Sequence, residues 1–430
     1  MFLLENRNDT GFIFRFVYVL LPFQTNKNSD EQKISITMKT KKLFYLVLML
    51  VFVIPAQAQF APAKNKKKAG AEGFQFDTIA MIKTTPVKSQ YKSGTCWSYA
   101  TTSFVETEIL RIDGRELDLS EMYFVNYAYR AKAESFIQLH GLANFGPGGQ
   151  AHDVMDVIRQ HGIATQKAYP ALVKGYDKDV HFEMDAGLAG FLKAVAKKPD
   201  GQLSEAWKDG FIALLNSYLG TPPQADVTTK FNPDDYVELT SYTHHPFYKP
   251  FRLEVPDNWS FNPNYYNVPI DELMAIMDYA LKNNYSVCWD GDVSDPGFSH
   301  KNALAILPET KVENLQGSEQ SRWENMSPEE LKKNMFSFKE PVPEENVTQA
   351  MRQTAFERQE ATDDHLMHLV GLVKDQNGTL YYVTKNSWDS NSNDNGGYLN
   401  MSEAYVRLNT IAIMVHKDAI PKNIREKLGL

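Results

Sequence analysis

Cys96 stands where a sulfur could act as a nucleophile. It follows Gly94 and Thr95 and heads a helix-compatible run in which Trp97, Ala100 and Phe104 share one face. At a helix start, unpaired backbone N–H groups and the positive end of the dipole favour the thiolate, the form that attacks a carbonyl carbon. Six residues upstream, Gln90 carries an amide that could donate to an oxyanion beside the sulfur. The other cysteine, Cys288, lies in the stretch Tyr285–Trp289 and reads as a buried strand residue, since free cysteine packs as a small hydrophobe. A bond between these two cysteines would consume the nucleophile, so no structural disulfide is expected.

Gln90, Gly94, Cys96, Trp97 and Ser98 resemble the nucleophile segment of the papain-like cysteine peptidases. The resemblance implies a histidine and an asparagine far downstream, and both have counterparts: His365, heading the run His365–Gly371, and Asn386, in Lys385–Trp388. It further implies that Cys96 and His365 form a thiolate–imidazolium pair, with the thiol pKa lowered to roughly 3.5–7.5. Asn386 would then orient the ring, Trp388 would shield that hydrogen bond, and Gln90 with the Cys96 N–H would hold the oxyanion. Asp364 is expected to support His365. Strand alternation puts His368 on the opposite face from His365, as a packed residue. Gly148 and Gly149 permit close backbone approach. By the resemblance an extended substrate pairs there; the residues alone read equally as a turn before a helix.

Matching segments in order are Gln90–Ala100, Gly148–Pro170, Leu219–Pro223, Val287–Val293, Phe356–Gly371 and the stretch from Asn386 to Ser402. Together they are similar to the bleomycin hydrolase and aminopeptidase C branch, over most of the chain from about residue 75. The 269 positions between Cys96 and His365 fit the large insertion of that branch, against roughly 130–150 in papain itself. The implied fold is α+β and two-lobed: a helical lobe beginning at Cys96, a strand-rich lobe carrying His365 and Asn386, and helical insertions at about 174–264 and 311–362. Strands are expected at 366–373, 380–384 and 411–415, with helix starts at Ser120 and Ser327. Two departures stand out. Asp389 replaces a usual glycine ahead of the loop Asn391–Asn395, and nine residues follow Pro421 where aminopeptidase members carry an arm that closes the cleft. Three functions therefore stay open: an aminopeptidase, an endopeptidase with an open cleft, and a catalytically silent peptide-binding homologue. Retention of Gln90, Cys96, His365 and Asn386 together argues against the last.

Composition agrees with a globular chain: 430 residues, 43% hydrophobic and 12% aromatic. The 45 basic and 53 acidic residues give a formal charge of -8, which argues against a nucleic-acid partner. Peptide substrates are the expected partners, and a homo-oligomer is left open by the resemblance. His244 and His245 are adjacent but lack further ligands at useful spacing, so they read as surface histidines, and neither metal nor cofactor is expected. Residues 38–58, with Lys39, Lys41 and Lys42 before the apolar run Leu43–Ile54 and the exit Pro55–Ala58, read as a secretory signal. On this reading residues 1–37 are an upstream extension, 59–73 a linker and 74–430 the peptidase domain. The protein is then exported to a periplasmic or extracellular space, with no stable membrane association once the signal is cleaved; an uncleaved anchor is the alternative.

Overall fold

The computed structural model describes residues 73–198, 201–314, 320, 322 and 326–430. The upstream extension, the signal and all of the linker except Gly73 lie outside the described residues. Among the described residues no helix is long and apolar enough to cross a membrane.

Helix α1 (Cys96–Asp113) is buried continuously from Trp97 to Ile109, including Thr101, Glu106 and Glu108. A helix enclosed on every side lies between two packed layers, which fixes its first residue as firmly as its middle. Behind it are α2 (Glu121–Gln138) and α3 (Ala151–His161). Ser120 accepts from the Tyr123 N–H, as its sequence position predicts, and Gln150 and Asp153 cap α3 reciprocally. Helices α4 (Phe182–Ala196) and α5 (Ala206–Leu219) complete this lobe, placing Leu188, Leu192 and Leu215 in one core with Phe104, Phe124 and Val154. Each such side chain contributes about 1.5–3 kcal/mol by leaving water.

The other lobe is an eleven-stranded sheet. At its centre β8 (His365–Lys374) runs antiparallel to β1 (Asp77–Met81), β5 (Val287–Gly291) and β9 (Leu380–Lys385). Beyond β5 lie β11 (Thr410–His416), β2 (Tyr236–Thr240), β4 (Tyr265–Asn267) and β3 (Pro250–Phe251). Past β9 come β10 (Tyr398–Ser402), β7 (Leu304–Ala305) and β6 (Phe298–Ser299). The expected strands appear with slightly wider bounds. Gly371, at a register shift in β8, has no room for a side chain: a Cβ would stand 2.7 Å from the Ala80 carbonyl oxygen.

Alternation along β5 and β8 divides two cores. Trp289, Met367 and Leu369 pack with α6 (Ile270–Lys282) and with Ile424 and Leu428 of the last helix, Lys422–Leu428. Cys288 and Leu366 instead join the helical core. The later insertion contributes α7 (Pro328–Met335), which starts at Ser327 as expected and is closed there by a Ser327/Glu330 capping box, and α8 (Gln349–Glu357). Buried Arg352 of α8 donates to the carbonyls of Ser241, Arg407, Leu408 and Ile411, which staples the insertion to the sheet.

Candidate active site

Cys96 is the first residue of α1, and the backbone N–H of Leu366 in β8 hydrogen-bonds its sulfur. That contact sets the thiol beside the neighbour of His365, so the two lobes meet at the pair predicted to react. Asn386 follows β9 directly. His365 Nε2 lies 2.8 Å from Asn386 Oδ1. An amide oxygen only accepts, so Nε2 carries the ring proton and the Nδ1 lone pair is left as the base. The Trp388 ring sits 4.9 Å from the imidazole, tilted by 32°, and covers this bond. Gln90 is buried, and its Oε1 accepts from Ser387 Oγ at 2.6 Å. Its backbone N–H donates to the Ser387 carbonyl at 2.8 Å. The loop carrying Gln90 and the loop carrying Asn386 are thereby locked together, and the Gln90 NH2 has no acceptor among the described residues.

The electrostatics differ from the sequence expectation of a lowered thiol pKa. Burial pushes the Cys96 thiol up to about 12; the Leu366 N–H opposes this, and the charges of Asp290, Asp363 and Asp257 add to it. Burial also pulls His365 down to about 4, against the hydrogen bond it donates to Asn386. Burial is the first cause of both shifts, and each acts against the charged form of its group.

Three further expectations are revised by position. Asp364 is exposed and does not support the His365 ring: its carboxylate accepts from the Val293 and Ser294 N–H groups and from Thr362 Oγ1. The close approaches at Gly148 and Gly149 are made by protein atoms. A Cβ on Gly148 would stand 1.8 Å from Asp257 Oδ2, and one on Gly149 would stand 2.7 Å from Asp153 Oδ2 and 3.0 Å from the Trp97 ring. His244 and His245 do acquire a shared partner, Glu254, at 3.2 and 2.8 Å. Gln353 donates to His244 Nδ1 while its own Oε1 accepts from the Thr243 N–H. That fixes the proton of His244 on Nε2, facing Glu254, where a metal would need a lone pair.

His368 lies on the other face of β8, as alternation predicts, with Nδ1 2.9 Å from Ser103 Oγ of α1. Sequence reasoning missed His300, whose Nδ1 accepts from Asn386 Nδ2 at 3.2 Å and whose Nε2 is 2.7 Å from Ser392 Oγ. It lies in a loop after a two-residue strand, where no periodicity marks it. Asp290 and Asp363 were missed as well, although Asp363 stands two places before His365.

Residues 74–198 match the family model described as papain family cysteine protease, and residues 317–429 match that described as Peptidase C1-like family. Cysteine proteinase 1, mitochondrial, of Saccharomyces cerevisiae is 21% identical over 413 residues, covering 82% of this chain and 79% of the yeast protein. Digestive cysteine proteinase 2 of Homarus americanus is 29% identical over 110 residues, 24% of this chain, and the match spans only 30% of the lobster protein. The crystal structure of pepw from Lactobacillus rhamnosis HN001 aligns with a TM-score of 0.59 at 18% identity, covering 82% of this chain and 84% of that one, and so shares the fold.

Proposed function

Since this chain belongs to the papain-like cysteine peptidases, we propose that it hydrolyses peptide bonds through an acyl-enzyme on Cys96. The observation that carries this reading is the His365–Asn386 hydrogen bond, which leaves a basic nitrogen on the residue adjoining the Cys96 contact. As the sulfur attacks the substrate carbonyl, the thiol proton passes to His365 Nδ1. The imidazolium then returns it to the departing amine, and a thioester remains. Water, deprotonated by the same nitrogen, attacks the thioester and releases the acid and the thiol. The Gln90 NH2 and the Cys96 N–H are the donors for the oxyanion of both tetrahedral intermediates. Asn386 keeps the imidazole in one tautomer throughout.

In the acylation step His365 works as the general base that takes the thiol proton. Cys96→Ser should reduce turnover to background while leaving the fold intact, and Cys288→Ser should retain most of it, since Cys288 is packed in the core with its Sγ 3.5 Å from Thr101 Oγ1. Turnover lost in Cys288→Ser and kept in Cys96→Ser would reverse the assignment. Labelling of Cys96 by a thiol-directed peptide inactivator separates a peptidase from a silent peptide-binding homologue.

Within this class we place the chain near aminopeptidase C and bleomycin hydrolase, with support from the extended similarity to the yeast proteinase. Matched peptides with free and blocked amino termini decide between exopeptidase and endopeptidase action. Export is proposed from residues 38–58 alone; intact-mass analysis of natively purified protein should find a chain beginning near Gln59.

A further inference from the structure

His300 approaches the Asn386 amide from the side away from His365. It follows β6 directly, and the segment from Asn386 to Ser392 folds over it. Asn386 Nδ2 donates to His300 Nδ1 at 3.2 Å, the Trp388 ring crosses the imidazole at 68° with 4.8 Å between centres, and His300 Nε2 is 2.7 Å from Ser392 Oγ. Ser392 Oγ donates its own proton to the Asp389 carbonyl. Towards His300 it can therefore only accept, which places the ring proton on Nε2 and leaves Nδ1 as the acceptor. His365 Nε2, Asn386 Nδ2, His300 Nε2 and Ser392 Oγ thus each donate to the next group along, and every donor points away from Cys96.

That direction requires a neutral His300. An imidazolium donates from both nitrogens, so its Nδ1 would meet the Asn386 NH2 donor to donor. Turning the amide over restores the bond by presenting Oδ1 to His300, at the loss of the bond that Oδ1 accepts from the Ser387 N–H at 2.7 Å. The NH2 group then faces His365 Nε2, which can accept only if the His365 proton moves to Nδ1, the nitrogen that has to take the thiol proton. Burial alone shifts His300, downward, with no carboxylate opposing it. Its titratable neighbour is His365 of β8, and a charge on either ring opposes one on the other. From the covering segment Asn386, Trp388 and Ser392 bring no charge, and the Asp389 carboxylate accepts from the Asn391 N–H. Lys301, next in the chain, is exposed.

We propose that His300 is a positioning residue that holds the Asn386 amide, and through it the His365 tautomer, in the working direction, and that a proton on His300 reverses both and stops acylation. The inference rests on the peptidase reading above and adds a control of it by pH. Burial depresses both imidazoles, and His365, 4% exposed, goes down to about 4, whereas His300 is only half-buried. As pH falls, His300 therefore takes up its proton before His365 does.

The test compares the pH dependence of kcat and KM, from neutrality down to about pH 4, for the full chain and for His300→Gln, whose amide can accept from Asn386 and donate to Ser392 without titrating. Wild-type kcat should fall about tenfold for each pH unit below the His300 midpoint, with KM little changed. His300→Gln should hold its kcat roughly a pH unit or more further into acid, down to the limb set by His365 itself. Nitrogen NMR of protein labelled at its histidine rings reads the tautomer directly. In wild type the His365 proton should move from Nε2 to Nδ1 across the acid limb, and in His300→Gln it should stay on Nε2 until the ring is charged. Superimposable acid limbs for the two proteins, or a wild-type His365 that keeps its proton on Nε2 across the limb, would overturn the proposal and leave the peptidase reading standing. No cleavage of any peptide at any pH, with no labelling of Cys96 by iodoacetamide, would overturn both. If His300→Gln fails to fold, the wild-type tautomer decides alone.

Discussion

At the scale of single residues, the site depends on which nitrogen or oxygen is already engaged. The Asn386 oxygen accepts from His365 and from the Ser387 N–H at 2.7 Å, and its NH2 donates to His300. His300 thus fixes which way the amide points, and through it which His365 nitrogen is free. His300→Ala should lower kcat by roughly ten- to a hundredfold with little change in KM, and His300→Gln, which keeps an acceptor, should recover part of the loss. An unchanged kcat would show that Trp388 and the Ser387 N–H suffice. A second expectation follows from the burial that raises the Cys96 thiol. With its pKa near 12, Cys96 of the substrate-free enzyme should react with iodoacetamide at a rate that climbs about tenfold per pH unit through neutrality, because each unit below the pKa cuts the thiolate tenfold. A plateau reached below pH 6 would instead indicate a standing ion pair. Cys96, His365 and Asn386 were legible because each lies in a short local pattern. His300, Asp257 and Asp290 were not, since a loop or strand residue acquires its role from partners more than seventy positions away.

At the scale of elements, strand bounds were readable to within a residue or two, because β-branched and aromatic runs end at turns. The burial of α1 was not readable: Thr101, Thr102 and Glu106 look like a solvent face until the sheet covers them. The glycine loop shows the same limit. Its flexibility was evident, but its occupant was not, because Asp257 arrives from the insertion. Lys132, only 1% exposed, ties the Gly146 and Gly148 carbonyls to α2, so this loop is held by a helix rather than by its own turn. Lys132→Met should leave two carbonyls unpaired, cost about 1–3 kcal/mol of stability, and raise KM more than it lowers kcat as the wall near Asp257 loosens. Gly148→Ala should act on the same wall from the other side, since its Cβ would displace the Asp257 carboxylate. Denaturant titration paired with steady-state kinetics checks both.

At the scale of the whole molecule, the two-lobed plan was legible from the order of motifs, whereas the polar seam that joins the lobes was not. Lys385 of β9 donates to Ser103 Oγ of α1 at 2.7 Å and to Thr85 Oγ1 at 3.2 Å, while Thr85 donates to Glu106 Oε2. Lys88 reaches Glu106 and Glu121 in the same seam. Burial pulls Lys385 down to about 8, against the favourable charge of Glu106, so folding the ammonium form costs more than folding the neutral amine. In the unfolded chain its pKa returns to the ordinary 10.5. Below pH 8 both states hold the proton and the full penalty is present, on the order of 3 kcal/mol. Between pH 8 and 10.5 the unfolded state binds more protons than the folded one, so this group alone makes stability rise with pH, and above 10.5 the penalty is gone. Other groups titrate over the same range, so the quantity to measure is the difference between wild type and Lys385→Met in unfolding free energy at pH 7 and at pH 10. The variant should gain relative to wild type at pH 7 and lose most of that advantage at pH 10. A difference independent of pH would mean that Lys385 stays charged in the fold, with Glu106 and Glu121 neutralising it across the seam.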